Sequence, residues 1–204
     1  MLPKLLTHGG PIMWLLLLIG SVAVAVMVER LLHYHREQIN SAEFLSGVRN
    51  VLKRDNVVEA LSICEATPGP VARLVKTAIV NRNLGREGVR ESLEEAGSQE
   101  VPRLEEKLNL LATIAQVSPL IGLFGTAVGF IRVFAAVEKE GPSAHFGVLS
   151  AGVWEAMIST AGGLAVAIFA YCAYNFLVSR VNTIVLDMEK TSTEILNLVT
   201  EIKG

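Results

Sequence analysis

A single carboxylate interrupts the longest apolar stretch of the chain. The stretch runs from Phe146 to Arg180, and Glu155 is the one acidic residue inside it. Glu155 follows Phe146 by nine residues, roughly 13 Å of helix, which places it near the midplane of a hydrocarbon core about 30 Å thick. A charge at that depth costs about 2.5 to 3.5 kcal/mol on insertion scales, so such a residue normally faces a protein interior or water and marks an ion path. The alternative is a carboxyl group that is simply protonated or lies nearer an interface.

Small and polar residues surround this carboxylate at helical spacing. Positions i, i+3, i+7 and i+11 form one narrow face of a helix, and Thr160 flanks that face at about 140° from Glu155. A cavity therefore touches two flanks of the helix, or one of the two residues packs against a neighbouring helix. The small residues could also serve close helix packing alone. The residues on the face are Gly152, Glu155, Ser159 and Gly163.

The composition excludes an ordinary soluble domain. The 204 residues are 51% hydrophobic, and the mean hydropathy is +0.45, with the apolar residues gathered in three blocks. We predict an all-α polytopic membrane protein with three transmembrane helices, long helices extending into the cytoplasm and a helical cytoplasmic domain. The formal net charge of -2 offers no basic surface for nucleic acid, and that class is excluded.

The distribution of Lys and Arg predicts the topology. Twelve of the eighteen basic residues lie between Arg30 and Lys107, whereas the connection between the second and third apolar blocks offers only Arg132 and Lys139. By the positive-inside rule the first of these regions is cytoplasmic and the connection is outside, with a periplasmic N-terminus and a cytoplasmic C-terminus. The expected parts are an N-terminal segment with the first transmembrane helix (1–29), a helical cytoplasmic domain (30–107), the second transmembrane helix (108–137), a short outer loop (138–145), the third transmembrane helix (146–180) and a C-terminal cytoplasmic helix (181–204).

Several short helices are expected in the cytoplasmic region. Asp55 or Asn56 is placed to cap one of them, and the sequence Pro68-Gly69-Pro70 breaks the chain before the next. Pro102 either kinks a fourth helix or opens a new one that continues without a clear break into the second apolar block. The four helices are expected at about 41–54, from the cap at 55 or 56 to about 66, from the break at 68–70 to about 83, and from about 86 onward.

The second apolar block carries a stripe of its own. Small residues recur at i, i+4, i+7 and i+11, so one face can approach another helix closely. Thr126 lies beside the stripe at roughly the depth of Glu155, so the two could line one cavity, although a Thr hydroxyl in a helix often bonds its own i−4 carbonyl. Pro119 frees the backbone carbonyl of Ala115, which in lipid needs another donor. The stripe consists of Ser118, Gly122, Gly125 and Gly129.

No metal, cofactor or catalytic group is predicted. Cys64 and Cys172 lie in different environments without metal-ligand spacing, and we expect reduced packing residues. His33 and His35 belong to a charged membrane exit. No nucleophile, base and orienting group converge at a recognisable spacing, so we expect a protein that is not an enzyme.

Two motifs carry a family resemblance. Residues 118–129, SPLIGLFGTAVG, resemble the A-P-L-L-G-L-L-G-T-V-x-G signature of the MotA/TolQ/ExbB proton-channel family. Residues 155–168, EAMISTAGGLAVAI, closing on Tyr174-Asn175, are similar to its E-A-L-x-x-T-A-x-G-L-x-V-A-I-P-A-x-x-x-Y-N, and the overall plan is ExbB-type. Ser118 replaces the usual Ala, and Phe169 replaces the usual Pro, which removes an expected distortion from the third helix.

The resemblance implies a ring, expected to be a pentamer, in the bacterial inner membrane. Members surround an ExbD/TolR-like single-span partner that carries an intramembrane Asp, and proton flow moves that partner to energise envelope transport. Matching positions place Glu155, Thr126 and Thr160 along the lumen, and we count Ser159 with them. Because burial and mutual repulsion in a ring favour the neutral form, we hypothesise that Glu155 is wholly or partly protonated at rest and tunes or relays proton access to the partner carboxylate.

Two other classes stay open. The chain could be a non-conducting scaffold that holds a partner helix, with Glu155 as a buried hydrogen-bonding peg. It could also be a small secondary transporter, although no inverted repeat is visible and Glu155 is the one strong intramembrane carboxylate.

Overall fold

The computed structural model describes residues 10–140 and 146–201, and these residues are almost entirely helical. No strand occurs among them, and three of the helices contain stretches long and apolar enough to span a membrane. The chain is an all-α polytopic membrane protein, as predicted. The helices are α1 (Gly10–Glu37), α2 (Ser41–Leu52), α3 (Val57–Ala66), α4 (Pro70–Val80), a 3₁₀ turn (Arg82–Leu84), α5 (Gly85–Glu105), α6 (Leu108–Glu140) and α7 (Phe146–Glu201), of which α1, α6 and α7 contain the apolar stretches.

The chain divides into two compact units. We call the part up to Glu29 together with Lys107–Phe176 the membrane unit, and Arg30–Glu106 together with the chain from Leu177 onward the polar unit. Both α1 and α7 therefore contribute residues to each unit.

The membrane unit is packed through small residues and apolar on the outside. Ala156, Ser159 and Gly163 of α7 are buried, whereas large side chains such as Phe134 and Ile168 are exposed. Small residues buried between helices and large apolar residues outside are expected in hydrocarbon surroundings. In lipid there is no hydrophobic driving force to bury Phe or Ile. The exterior of this unit therefore fits a bilayer or further protein, and not water.

The polar unit is organised around α4. This helix buries seven of its eleven residues and packs against α3 and α5. Gly69, just before it, has φ +110°, and a Cβ there would lie 2.5 Å from the backbone oxygen of Glu37. The glycine after Pro68 is thus required by a left-handed backbone and a close approach.

Asparagines begin two of the short helices. Asn40 accepts a hydrogen bond from the Glu43 amide at 3.4 Å, and Asn56 accepts one from the Glu59 amide at 3.2 Å. Of the two caps considered for the second short helix, Asn56 serves. Asp55 instead adopts φ 56° in the turn before it.

A buried acid ties α4 to α5. Glu100 accepts hydrogen bonds from Arg73 at 2.7 Å and from Arg103 at 3.0 Å, and its side chain is 7% exposed. Nearby, the hydroxyl of Tyr34 in α1 donates to the backbone oxygen of Leu104 at 2.6 Å. These bonds satisfy polar groups that the helices remove from water, and they fix α1, α4 and α5 within the polar unit.

The expected continuity between the fourth cytoplasmic helix and the second apolar block is wrong. Pro102 lies inside α5, which ends three residues later at Glu105, and α6 begins at Leu108. Glu106 has an extended backbone and Lys107 has φ 64°, so the helical hydrogen bonds stop here. Lys107 pairs with Glu29 in the membrane unit, and Glu106 accepts from Arg30 at 3.0 Å in the polar unit.

The second apolar helix extends further than predicted. Lys139, which we assigned to the outer loop 138–145, is a helical residue of α6, so the expected loop begins inside that helix. Residues 141–145 of the predicted loop and the predicted segment 1–9 lie outside the described residues.

The predicted third transmembrane helix and the predicted C-terminal helix form one continuous helix. α7 runs without interruption from Phe146 past Phe169 to Glu201. Its C-terminal part buries the apolar side chains of Ile184, Met188, Ile195 and Leu198. No proline interrupts the helix, so its backbone hydrogen bonds continue through Phe169, where the family signature quoted above has a proline.

Candidate functional site: a polar cluster between two membrane helices

The five stripe glycines of α6 and α7 lie in close contact with the opposite helix. A Cβ on Gly122 would lie 2.8 Å from the backbone oxygen of Ser159, and one on Gly163 would lie 2.6 Å from the backbone oxygen of Ser118. These separations are shorter than van der Waals contact and involve backbone atoms that cannot swing aside. The same closeness holds at Gly125 against the Ser159 side chain, at Gly129 against Ala156, and at Gly152 against Val133.

The two threonines of the stripes meet across this contact. Thr126 donates to the backbone oxygen of Ala156 at 3.1 Å, lies 3.3 Å from the oxygen of Gly122, and contacts the hydroxyl of Thr160. Each hydroxyl has one hydrogen to donate. Thr160 donating to Thr126, and Thr126 donating to Ala156, satisfies both groups and forms a short relay of hydroxyls between the helices.

The carboxylate of Glu155 is paired with a cation. Arg132 Nη1 donates to Glu155 Oε1 at 2.7 Å, and the two side chains are 51% and 23% exposed. On another side, Gly10 at the start of α1 approaches so closely that a Cβ there would lie 1.9 Å from the same oxygen. Gly10 has φ 60°, a conformation that glycine adopts readily. Three helices therefore meet at this carboxylate.

Ser159 and Pro119 lie outside the threonine pair and the ion pair. Ser159 is 1% exposed, and its hydroxyl donates to the backbone oxygen of Glu155 at 3.0 Å, so it lies within the helix contact. Pro119 stands inside α6 and removes the amide that would bond to the oxygen of Ala115. Ala115 lines a cleft of about 390 Å³ together with Gln116, Tyr171 and other residues of α6 and α7.

The structure joins the candidate residues in two groups. Thr126 and Thr160 form one pair, and Glu155 and Arg132 form the other, with Ala156 contacting Thr126 from the position next to Glu155. Both residues of the 140° offset bond to α6, Thr160 through Thr126 and Glu155 through Arg132, so the two alternatives stay open. Glu155 and Thr126 are separate groups within one chain.

Arg132 is the residue that the sequence reasoning missed. We counted its charge with the outer connection, although it lies within the predicted helix 108–137, and it pairs with Glu155. Gly129 lies opposite Ala156, and antiparallel helices advance in opposite directions, so Arg132 is level with Val153. Its long side chain reaches Glu155, two positions further along α7. This register is seen only in the structure.

Comparisons with known proteins place the chain in a family. Residues 66–190, more than half of the chain, match the model of the MotA/TolQ/ExbB proton channel family. The chain belongs to this family, and it is a multi-pass membrane protein of the proton-channel class.

Individual relatives agree with the family model. A biopolymer transport protein ExbB homolog from Methanothermobacter thermautotrophicus is 26% identical over 88% of this chain and 63% of its own length. An ExbB-like biopolymer transport protein from Synechocystis is 33% identical over 87% of this chain and 72% of its own length. A Tol-Pal system protein TolQ from Haemophilus influenzae is 42% identical over 49% of this chain and 43% of its own length. The chain thus spans less than two thirds of the archaeal relative and of the TolQ protein.

Proposed function

We propose that this chain is the ring-forming proton-channel subunit of a motor in the bacterial inner membrane. Copies of the chain, five in the expected ring, enclose the transmembrane helix of an ExbD/TolR-like partner that carries an intramembrane Asp. Proton flow through the ring moves the partner and so energises envelope transport. The N-terminus is periplasmic and the C-terminus is cytoplasmic, following the distribution of Lys and Arg.

One observation carries the proposal. Glu155 lies inside an apolar helix of the membrane unit. Its carboxylate contacts two other helices, through Arg132 of α6 and Gly10 of α1. A carboxylate that is costly to bury and is nonetheless supported by neighbouring helices is the usual mark of a proton or ion path. Membership of the MotA/TolQ/ExbB proton channel family favours the proton as the ion on that path.

The hydroxyl pair extends the polar path away from the carboxylate. Thr160 lies five residues beyond Glu155, roughly 7.5 Å along the helix axis, and contacts Thr126 of α6. Both side chains are partly exposed, so water or a partner side chain can reach them in an assembled ring. We assign Glu155, Thr126 and Thr160 to the pathway. Ser159 lies buried in the helix contact. We therefore assign it to helix packing, together with the five glycines of the stripes and Pro119.

A ring requires several copies, because one chain does not surround an axis. The exposed apolar residues of α6 and α7 offer a surface for lipid and for neighbouring copies. Moving one proton across 100 mV releases about 2.3 kcal/mol, so sustained movement of a partner requires several protons. A partner Asp inside the ring would accept protons that Glu155 releases.

Replacement of Glu155 tests the proposal. Glu155→Gln and Glu155→Ala should abolish proton-coupled movement of the partner in energised membranes, while native mass spectrometry still finds the assembled ring. Glu138→Gln is the matched control, since it removes one acid from α6 near the end of that helix and should preserve activity. Undiminished activity of Glu155→Gln, or a purified chain that stays monomeric in mild detergent and in lipid nanodiscs, would refute the motor.

The ion pair also favours a second candidate. A carboxylate bonded to Arg132 at 2.7 Å could be a peg that fixes α6 against α7 in a non-conducting scaffold. In that case Glu155→Gln, which keeps a hydrogen-bonding side chain, would leave partner binding and envelope transport intact. Loss of proton-coupled work with an intact ring separates the motor from the scaffold.

A further inference from the structure

Arg132 is a cation at an unusual place. It lies in an apolar helix of the membrane unit, eight residues before the last helical residue of α6. A guanidinium is costly to place in a membrane helix unless an anion or water compensates its charge. The carboxylate of Glu155, 2.7 Å away, supplies that compensation within the same chain.

The pair changes what the carboxylate attracts. An uncompensated carboxylate in a narrow polar passage raises the local concentration of every small cation, including Na⁺ and K⁺. A carboxylate bonded to a guanidinium carries no net charge as a pair, and Arg132 Nη1 occupies Oε1, one of the two oxygens that a metal ion would bind. A proton needs only a lone pair and a chain of hydrogen bonds, so the ion pair excludes protons from the carboxylate far less than it excludes Na⁺ and K⁺.

We propose that Arg132 is a selectivity-determining residue that keeps metal cations out of the Glu155 site and admits protons alone. The inference depends on the proposed function, because it assigns a role in the same pathway. When a proton arrives, it forms an O–H bond on the Glu155 carboxylate, and the guanidinium keeps all its hydrogens. Arg132 is then an uncompensated cation that repels a second cation until Glu155 gives its proton up.

Arg132→Gln tests the role directly. The chain and its single-span partner are reconstituted together in vesicles, and uptake of Na⁺ and of protons is measured separately. Removal of the guanidinium should raise Na⁺ uptake by about tenfold or more, because the remaining carboxylate concentrates cations. Lys139→Gln is the matched control, since it removes the same charge from the same helix two turns further on, and its Na⁺ uptake should stay at the level of the original protein.

A double variant identifies the cause. Arg132→Gln combined with Glu155→Gln leaves a neutral amide pair, so Na⁺ uptake should return to the original low level. Arg132→Lys keeps the positive charge and should also stay low. A change in Na⁺ uptake with these signs is not expected from a residue that only supports the fold.

Every outcome decides the question. Equal Na⁺ uptake in the Arg132→Gln and Lys139→Gln proteins overturns the inference. If Arg132→Gln alone fails to assemble but the double variant assembles, the unpaired carboxylate is the cause, and the inference is supported. If both fail to assemble, the pair is structural, and the inference falls. The proposed motor fails separately, through retained activity of Glu155→Gln alone.

Discussion

Gly122 of α6 lies so close to Ser159 of α7 that a Cβ on the glycine would stand 2.8 Å from the serine's backbone oxygen. The Cα of Gly163 and the Cα of Thr160 would each be 3.2 Å from the same added atom. All three neighbours are backbone atoms of one helix, so no side chain can rotate to make room. The two helices can keep this separation only while position 122 has no side chain.

Gly122→Ala should therefore destabilise the membrane unit. The added methyl group forces α6 and α7 apart, and overpacking of this kind costs about 1 to 3 kcal/mol. Reversible unfolding in mixed detergent micelles measures the change in the free energy of unfolding. Gly147→Ala is the control, because an added Cβ there meets nothing within 4 Å, and it should leave stability unchanged or slightly raised. Equal effects of the two substitutions would show that the helices are not in contact at Gly122.

Thr126→Val should weaken the same contact through lost hydrogen bonds. Valine matches threonine in shape but cannot donate to Ala156 or meet the hydroxyl of Thr160. Hydrogen bonds between membrane helices contribute about 0.6 kcal/mol on average and up to about 1.7. Thr126→Ser keeps the hydroxyl and should retain most of that stability. The same unfolding assay compares the two, and a serine variant as unstable as the valine variant would argue against the hydroxyl pair.

Glu100→Ala should destabilise the polar unit. The buried carboxylate is lost, and Arg73 and Arg103 lose the acceptor that joins α4 to α5. Because the side chains of both arginines are more than two-fifths exposed and can turn to water, we expect about 1 to 3 kcal/mol rather than the cost of a buried unpaired charge. Glu91→Ala removes an exposed acid from the same helix and serves as the control. Thermal unfolding of the full chain followed by circular dichroism gives both values, and similar values would exclude a structural role for Glu100.

Cys64 should resist alkylation in the folded protein. Burial raises the pKa of its thiol from 9.0 to about 11, so the reactive thiolate is about a hundredfold rarer than in the unfolded chain near neutral pH. The neutral thiol is favoured in the folded state, and stability from this group is present below pH 9.0 and is lost as the pH rises towards 11. Maleimide labelling at pH 8, in a Cys172→Ser background, measures the rate before and after denaturation. Equally fast labelling in both states would contradict the burial.

The patterns of apolar and small residues predicted much of the fold. Three long apolar blocks can only be three helices in lipid, since every backbone group must bond within its own segment. Glycines at helical spacing on two blocks likewise indicated faces for close approach, and those faces meet in the structure at Gly122 and Gly163. Such features are visible in sequence because they repeat along one helix.

Features that depend on a single residue escaped prediction. The break at Lys107 depends on a left-handed backbone conformation, which lysine rarely adopts. The surrounding run of charged residues is typical of helix, so the sequence does not indicate the break. Arg132 was missed because a charge beside an apolar block suggests the membrane boundary, and its partner lies twenty-three positions away on another helix. Pairing across helices becomes visible only when their register is known.

The unbroken course of α7 through Phe169 has a consequence for any proton that passes Thr160. The next ten residues, 161–170, offer only Ala, Gly, Val, Leu, Ile and Phe side chains, about 15 Å of helix and half the thickness of the hydrocarbon core. With no proline to leave a carbonyl unbonded, this length of α7 contributes neither a hydroxyl nor a spare backbone acceptor. A conducting wire therefore has a gap there, and only a water column or the side chains of another helix can bridge it.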